Sequence, residues 1–305
     1  MATPMDSGAF PDALDPRFQK IFVDTLKPLP DMVGTVYTVV PTNGRDNMKW
    51  SEVGTLPNWS EFTGTVSYNS LNQGYDVTMT PLEFTNGMQV TRKFYDDEQF
   101  HIMDGKPKGM ALSAHRTRQE HAARMFVNAF SVDTMFYSHS EGVALCSDSH
   151  TTTSGASTAT GFDNKTTASL TATAVFAARK LMVNFRGDQA ERYETEPDEL
   201  WFPPDLAEQA FEIIKSAGKV DTANNNRNWH EGRYTPHEWR YLSDTNDWFM
   251  TDSSLRKQFL FWQDRVPIEY AMIEDFDSLI GKWRGYGRWA NTYVNWRFIV
   301  GSQVS

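Results

Sequence analysis

The sequence predicts an α+β fold, and three observations carry that prediction. Tyr75, Val77 and Met79 alternate with Asp76, Thr78 and Thr80, the period-2 signature of a half-buried strand. From about residue 113 to 130 the apolar spacing becomes helical. Further strand and helix signals then interleave without the regular βαβ rhythm of a doubly wound sheet, and no internal repeat is present.

With 305 residues the chain has room for one large domain or two ordinary ones. Hydrophobic residues make up 40%, including ten Trp, twenty Phe and eleven Tyr, which supports a substantial core and excludes general disorder. No run approaches the roughly 18 to 20 apolar residues that span a bilayer. The first ten residues lack the basic and apolar regions of a signal peptide. The single cysteine, Cys146, excludes an intramolecular disulfide framework and fits a reducing compartment such as a cytoplasm. A net charge of −10 argues against binding nucleic acid by phosphate neutralisation and fits a solubilising surface.

Residues 1–45 are rich in Pro, Asp and Thr and read as an extended arm, interrupted by a short amphipathic piece at 18–26. Residues 46–110 read as strands and turns, with Trp50 and Trp59 in a polar stretch. Asn86-Gly87 has the form of a type I′ hairpin turn, beyond which Met88, Val90 and Phe94 alternate with Gln89, Thr91 and Lys93. An isolated hairpin is marginal in water, so this one must pack against something. The helix at 113–130 brings Leu112, Gln119, Ala122, Ala123, Phe126, Ala129 and Phe130 near one stripe. Arg116, Glu120 and Arg124 form an i, i+4, i+8 ladder opposite, which suits either a solvated face or a contact with a neighbour.

Residues 147–167 are a Ser/Thr/Gly/Ala loop. Leu170, Ala174, Ala177, Leu181 and Phe185 predict a second helix, with Gly187 placed to end it. Leu200-Trp201-Phe202 reads as a short buried strand, and Pro203-Pro204-Asp205 leads into a third helix stopped by Gly218. An Asn-rich loop at 220–234 precedes short aromatic strands near 239–241, 248–250 and 259–262. In the last strand Val294, Trp296, Phe298 and Val300 share one face, and Tyr293, Asn295, Arg297 and Ile299 the other.

No constellation makes a convincing active site. Cys146 and His150 lack the further ligands of a zinc site and read as a small buried thiol beside a loop histidine. His230-Glu231 and His237-Glu238 would need a shared helix to hold a metal as His-Glu-x-x-His does, and Gly232 and Pro236 intervene. Glu274, Asp275 and Asp277, like Asp244, Asp247 and Asp252, lack the pattern of a calcium loop and read as solvated acidic faces. Residues 281–288, Gly-Lys-Trp-Arg-Gly-Tyr-Gly-Arg, interleave basic and aromatic residues as single-stranded nucleic-acid sites do, but fit a glycine-rich turn before the final strand better. No Gly-x-Ser-x-Gly elbow, phosphate loop or dinucleotide fingerprint is present, and no cofactor is indicated.

Ordered blocks along the chain resemble the major capsid proteins of tailed bacteriophages, the family with the HK97-type fold. The run from Thr80-Pro81-Leu82-Glu83-Phe84 to Val90-Thr91-Arg92-Lys93 resembles that family's strand returning from its extended loop. Asp96-Asp97, Ser113-Ala114 and Glu120-His121-Ala122-Ala123 are similar to the start of its spine helix. Leu145-Cys146-Ser147, His150, Pro203-Pro204-Asp205-Leu206, Leu242-Ser243-Asp244, Trp248-Phe249, Trp296-Arg297 and Gly301 continue in the family's order, so the similarity covers about residues 15–305.

The resemblance implies an N-terminal arm at 1–45 and an extended β-hairpin loop at 46–80 that overlaps a neighbouring subunit. It implies a mainly peripheral domain at 81–195 with the spine helix at 113–130, and a mainly axial domain at 196–305 whose last strand returns to the body. It implies hexamers and pentamers tiling an icosahedral virion head around double-stranded DNA contacted without sequence preference, assembled in a bacterial cytoplasm without a membrane. No coiled-coil heptads precede the arm, which points to a separate scaffolding protein; a portal protein and a decoration protein are the other expected partners. The implied assembly contacts are Trp50, Glu52, Trp59 and Glu61 on the loop, Arg92 and Lys93 after it, and Arg116, Glu120 and Arg124 on the helix. Two rival readings are an encapsulin-like nanocompartment shell of the same fold and a metal-dependent hydrolase using His230 and His237.

Overall fold

The computed structural model describes residues 11–42, 44–66, 68–91, 93, 104–218, 226–275 and 280–305. The chain begins with helices α1 (Pro11–Leu26) and α2 (Val33–Val36), then strands β1 (Thr38–Val39), β2 (Met48–Val53), β3 (Gln73–Met79) and β4 (Leu82–Thr91). Helix α3 (Gly105–Val127), strands β5 (Tyr137–His139) and β6 (Lys165–Thr166), and helix α4 (Ala172–Val183) follow. Next come β7 (Glu199–Phe202), α5 (Ala207–Lys215), β8 (Thr235–Glu238), β9 (Trp248–Thr251) and α6 (Ser253–Phe259). The long strands β10 (Leu260–Asp275) and β11 (Ile280–Tyr293) and the short β12 (Ile299–Ser302) complete it. Among the described residues the sheets run β1-β10-β11-β4, β2-β3-β5 and β6-β12-β9-β7-β8, an α+β arrangement as expected.

Asn86-Gly87 is not a hairpin turn. Both residues lie inside β4, opposite Gly285 and Arg284 of β11, while β3 and β4 belong to different sheets and meet at Thr80-Pro81. A Cβ on Gly87 would stand 3.2 Å from the Trp283 carbonyl oxygen, so this glycine serves close approach of two strands. Pairing with a strand two hundred residues away overrides the local turn preference.

Strands β10 and β11 pair antiparallel along most of their length, and residues 281–288 are strand within that pair rather than a turn. Trp283, Gly285, Gly287 and Trp289 are buried and alternate with the more exposed Arg284, Tyr286 and Arg288. A Cβ on Gly287 would stand 2.5 Å from the Trp289 ring, so the glycines make room for two indoles on one face. Helix α1 covers that face and starts well before the expected 18–26. Phe18 packs on Trp283 at 5.4 Å and Phe22 on Tyr270 at 5.1 Å between ring centroids. The expected extended arm is therefore helical over these residues.

Helix α3 starts eight residues before 113, because Pro107 is tolerated in a first turn and is buried along with Met110 and Ala111. Its buried face carries Gln119, Ala122, Ala123 and Phe126, whereas Leu112 is exposed. The alanines let the Tyr37 hydroxyl reach the Ala122 carbonyl at 2.6 Å. Helix α4 buries Ala174, Val175, Ala178 and Met182 and ends at Asn184, not Gly187; Ala177 is exposed. Helix α5 buries Ala210, Ile213 and Ile214 and exposes Phe211.

Strands β7, β9 and β12 are buried throughout, which is why Leu200-Trp201-Phe202 and Trp248-Phe249-Met250 read as short apolar strands. Residues 294–298 turn between β11 and β12 instead of extending the last strand; every residue from 289 to 302 is buried, so alternation there marks no sheet face. Beneath this sheet Arg256 of α6 donates to Glu199 Oε2 at 2.8 Å and Oε1 at 2.7 Å. It also donates to the carbonyls of Thr35, at 2.9 Å, and Val36. Burial pushes the Glu199 carboxyl up, but donors from His237 and Arg256 outweigh it and hold the carboxyl far below its ordinary range.

Candidate functional site

Strand β2 alternates Met48, Trp50 and Glu52 inward with Lys49, Ser51 and Val53 outward. It pairs antiparallel with β3, so residues 54–72 form a loop whose two ends lie side by side. The Gly54 N–H donates to the Asn72 carbonyl at 2.9 Å. Thr153 donates to the Gln73 carbonyl at 2.9 Å, and the Tyr75 and Thr151 hydroxyls meet at 2.6 Å. Thr55 donates to Glu191 and accepts from the Asp188 N–H at 3.2 Å. The turn at 187–191 supplying those partners holds Ala190 at φ 62, a left-handed conformation rare outside glycine.

Trp50 and Glu52 face this chain's own body. The Trp50 ring stacks on Phe261 at 5.4 Å, and Glu52 accepts from Arg297 at 3.1 Å and from Asn295. Burial, opposed by Arg297 and reinforced by Asp188 and Glu141, pushes the Glu52 carboxyl up to about 7. Beyond this base the loop is exposed. Trp59 is 100% exposed, and Leu56, Phe62, Val66, Tyr68 and Leu71 are exposed beside it, as is Glu61. So dense a run of exposed large apolar residues exceeds ordinary surface scatter and makes the loop the candidate interaction surface.

On α3, Arg116 and Glu120 are exposed, but Arg124 is half-buried and donates to both oxygens of Asp133 at 2.7 and 2.9 Å. The expected three-residue ladder is therefore shortened, because Arg124 is committed within the chain. Lys93 is exposed, and Arg92 lies outside the described residues. Sequence reasoning gave no role to Arg297, which it met only as part of the last strand and of the Trp296-Arg297 block, and did not single out Asp188, Arg256 or Glu199; charged residues inside runs as apolar as Trp296-Arg297-Phe298 were the available signal.

The remaining constellations serve the fold. Burial pushes the Cys146 thiol far up, and a Cβ on Gly301 would stand 2.8 Å from its Sγ. His150 is buried, stacks on Trp296 at 4.2 Å and pairs with Glu141 at 3.1 Å. His237 on β8 stacks on Trp201 at 4.0 Å with Nε2 3.5 Å from Glu199, whereas His230 packs beside Trp229 and Tyr234. Asp252 caps α6, Asp247 accepts from the Val304 N–H at 2.8 Å, and Asp244 accepts from the N–H groups of its own turn. Asp275 pairs with Lys282 at 2.8 Å; Asp277 and the Glu274 side chain lie outside what is described. Among the described residues no three His, Cys, Asp or Glu side chains converge, and no helix is long and apolar enough to cross a membrane.

A long hairpin sheet under α1 and α3, a five-stranded sheet buried at β7, β9 and β12, and a clamped loop make an α+β fold of the HK97-like class. The family model described as phage capsid protein matches residues 74–302, so the chain belongs to the phage capsid protein family and to the shell of a virion. Among solved structures, the capsid of the empty GTA particle aligns with a TM-score of 0.56 at 11% identity, covering 91% of each chain. The structure of Mycobacterium phage Adephagia gives 0.55 at 14% identity, again over 91% of each chain. That of Gordonia phage Cozz gives 0.54 at 14%, over 90% of this chain and 86% of the other. At such identities these likenesses establish the fold. None of the curated proteins matches the chain.

Proposed function

We propose that the chain is the major capsid protein of a tailed double-stranded DNA bacteriophage. In this reading it assembles in the host cytoplasm into hexamers and pentamers of an icosahedral head enclosing the genome, guided by a separate scaffolding protein and joined to a portal protein. A decoration protein on the outer face fits the same scheme. The observation that carries the reading is the exposed apolar loop at 56–71 on a base fixed within its own subunit. A fully exposed Trp59 is costly in an isolated subunit and is accounted for once a second copy covers it. The division into an arm at 1–45, a loop at 46–80, a mainly peripheral part at 81–195 and a mainly axial part at 196–305 belongs to the same reading; the pairing of β11 with β4 and the packing of β10 against α1 favour moving these two strands from the axial to the peripheral part.

The test is electron microscopy of particles recovered from a producing host, with and without a short Gly-Ser bridge replacing residues 56–70. The intact chain is expected to give uniform shells protecting double-stranded DNA. The bridged variant should melt like the intact subunit but form no shells. A bridged variant that still assembles overturns the role of the loop; a persistently monomeric intact protein overturns the shell reading itself. Small shells that hold an enzyme and no DNA would instead identify a nanocompartment.

A further inference from the structure

Arg297, in the turn between β11 and β12, has a side chain only 2% exposed and serves two carboxylates from distant parts of the chain. Its Nη1 donates to Glu52 at 3.1 Å, its Nη2 to Asp188 at 3.4 Å and its Nε to the Arg186 carbonyl at 2.7 Å. The rings of Trp296, Phe162 and Tyr193 lie 4.7, 5.3 and 5.6 Å from the guanidinium carbon. A planar fork held in this way has one direction available to each donor. Glycines bring the loop's strands onto the same two carboxylates: a Cβ on Gly74 would stand 2.8 Å from Glu52 Cβ, and one on Gly54 3.0 Å from Asp188 Oδ2. A cleft of about 300 Å³ opens beside the cluster, between β2 and the start of β10.

We infer that Arg297 is a positioning residue for assembly, aiming loop 54–72 in one direction by holding the loop base through Glu52 and Asp188. The inference rests on the reading that this loop covers a second copy. An apolar base would anchor the loop equally well but would not fix its direction, because apolar contacts are non-directional.

Amide hydrogen exchange on isolated subunits, followed by shell imaging, tests the inference in Glu52→Ala, Glu52→Gln and Arg297→Lys. Glu52→Ala and Arg297→Lys are expected to speed exchange in the β2–β3 ladder at least tenfold while leaving the β7–β9 ladder unchanged, and to give few or irregular shells. Glu52→Gln, which keeps an acceptor for Arg297, is expected to restore both. Unchanged β2–β3 exchange with normal shells in Glu52→Ala overturns the inference, as does equal loosening of both ladders, which is general destabilisation. If Glu52→Ala does not fold, Arg297→Lys against Glu52→Gln decides by the same criteria. Failure of the intact chain to form shells is a separate result that counts against the capsid reading and leaves the exchange comparison standing.

Discussion

Replacing Arg256 of α6 by Met should strongly destabilise the C-terminal sheet against which it is buried. The side chain is 2% exposed and donates to both oxygens of Glu199 and to the carbonyls of Thr35 and Val36. Methionine fills much of the same space but leaves a buried carboxylate without its cation, a change that costs about 3–5 kcal/mol. Against a total stability on the order of 5–15 kcal/mol, that is a large fraction. With a urea dependence of about 3 kcal/mol per molar, the unfolding midpoint should fall by roughly 1–2 M. The double variant Glu199→Leu/Arg256→Met removes both charges at once and should recover at least half of that loss. Equilibrium unfolding of the isolated subunit, followed by tryptophan fluorescence, measures Arg256→Met, Glu199→Leu and the double variant. A single variant costing less than about 1 kcal/mol, or a double variant as costly as the two single changes added, would refute the reasoning.

Burial holds the Glu52 proton to about pH 7 in the folded subunit, whereas the unfolded chain releases it near 4.5. The contribution of this group is therefore largest below pH 4.5 and declines, by at most about 3 kcal/mol, as the pH rises through 7; Glu52→Gln should abolish that decline in pH-resolved denaturation. His121 behaves in the opposite sense: burial, then Arg124, lowers it to about 4, so stability is lost as the pH falls from 6.5 towards 4. His121→Gln, which can still accept from the Trp289 indole, should flatten that acid limb. Gly287→Val would drive a side chain into the Trp289 ring and should cost about 1–3 kcal/mol, read as a lowered melting temperature with altered near-ultraviolet dichroism.

Period and burial decide which parts of this fold can be read from the sequence. Strand β3 is visible because Val77 and Met79 are buried on either side of the more exposed Thr78, and β7 and β9 through the apolar runs Leu200-Trp201-Phe202 and Trp248-Phe249-Met250. The core of α3 is visible through Ala122, Ala123 and Phe126, but its first turns are hidden behind Gly105, Pro107 and Gly109, which read as breakers until the packing of Met110 is seen. Asn86-Gly87 and residues 281–288 mislead for a shared reason. In both, glycine that favours turns locally makes room inside a strand, at Gly87 for the Trp283 carbonyl far along the chain and at Gly287 for the Trp289 ring two residues on. The loop is legible as polar and turn-rich, with Trp59 standing out. Its base is not, since Glu52 meets Arg297 across 245 residues and no local pattern announces such a pair.

That separation also sets a schedule for synthesis. A ribosome adding roughly 5–20 residues per second needs about 12–50 seconds to pass from Glu52 to Arg297. The pairing of β4 with β11 waits almost as long, and contacts this distant in sequence form late. During that interval the apolar stretch around Trp59 is already outside the ribosome, but its direction is not yet set. If the loop joins subunits as proposed, chains emerging side by side on one message carry an adhesive segment with no geometry for joining, and the residue proposed to supply that geometry arrives only when the rest of the body is ready to fold.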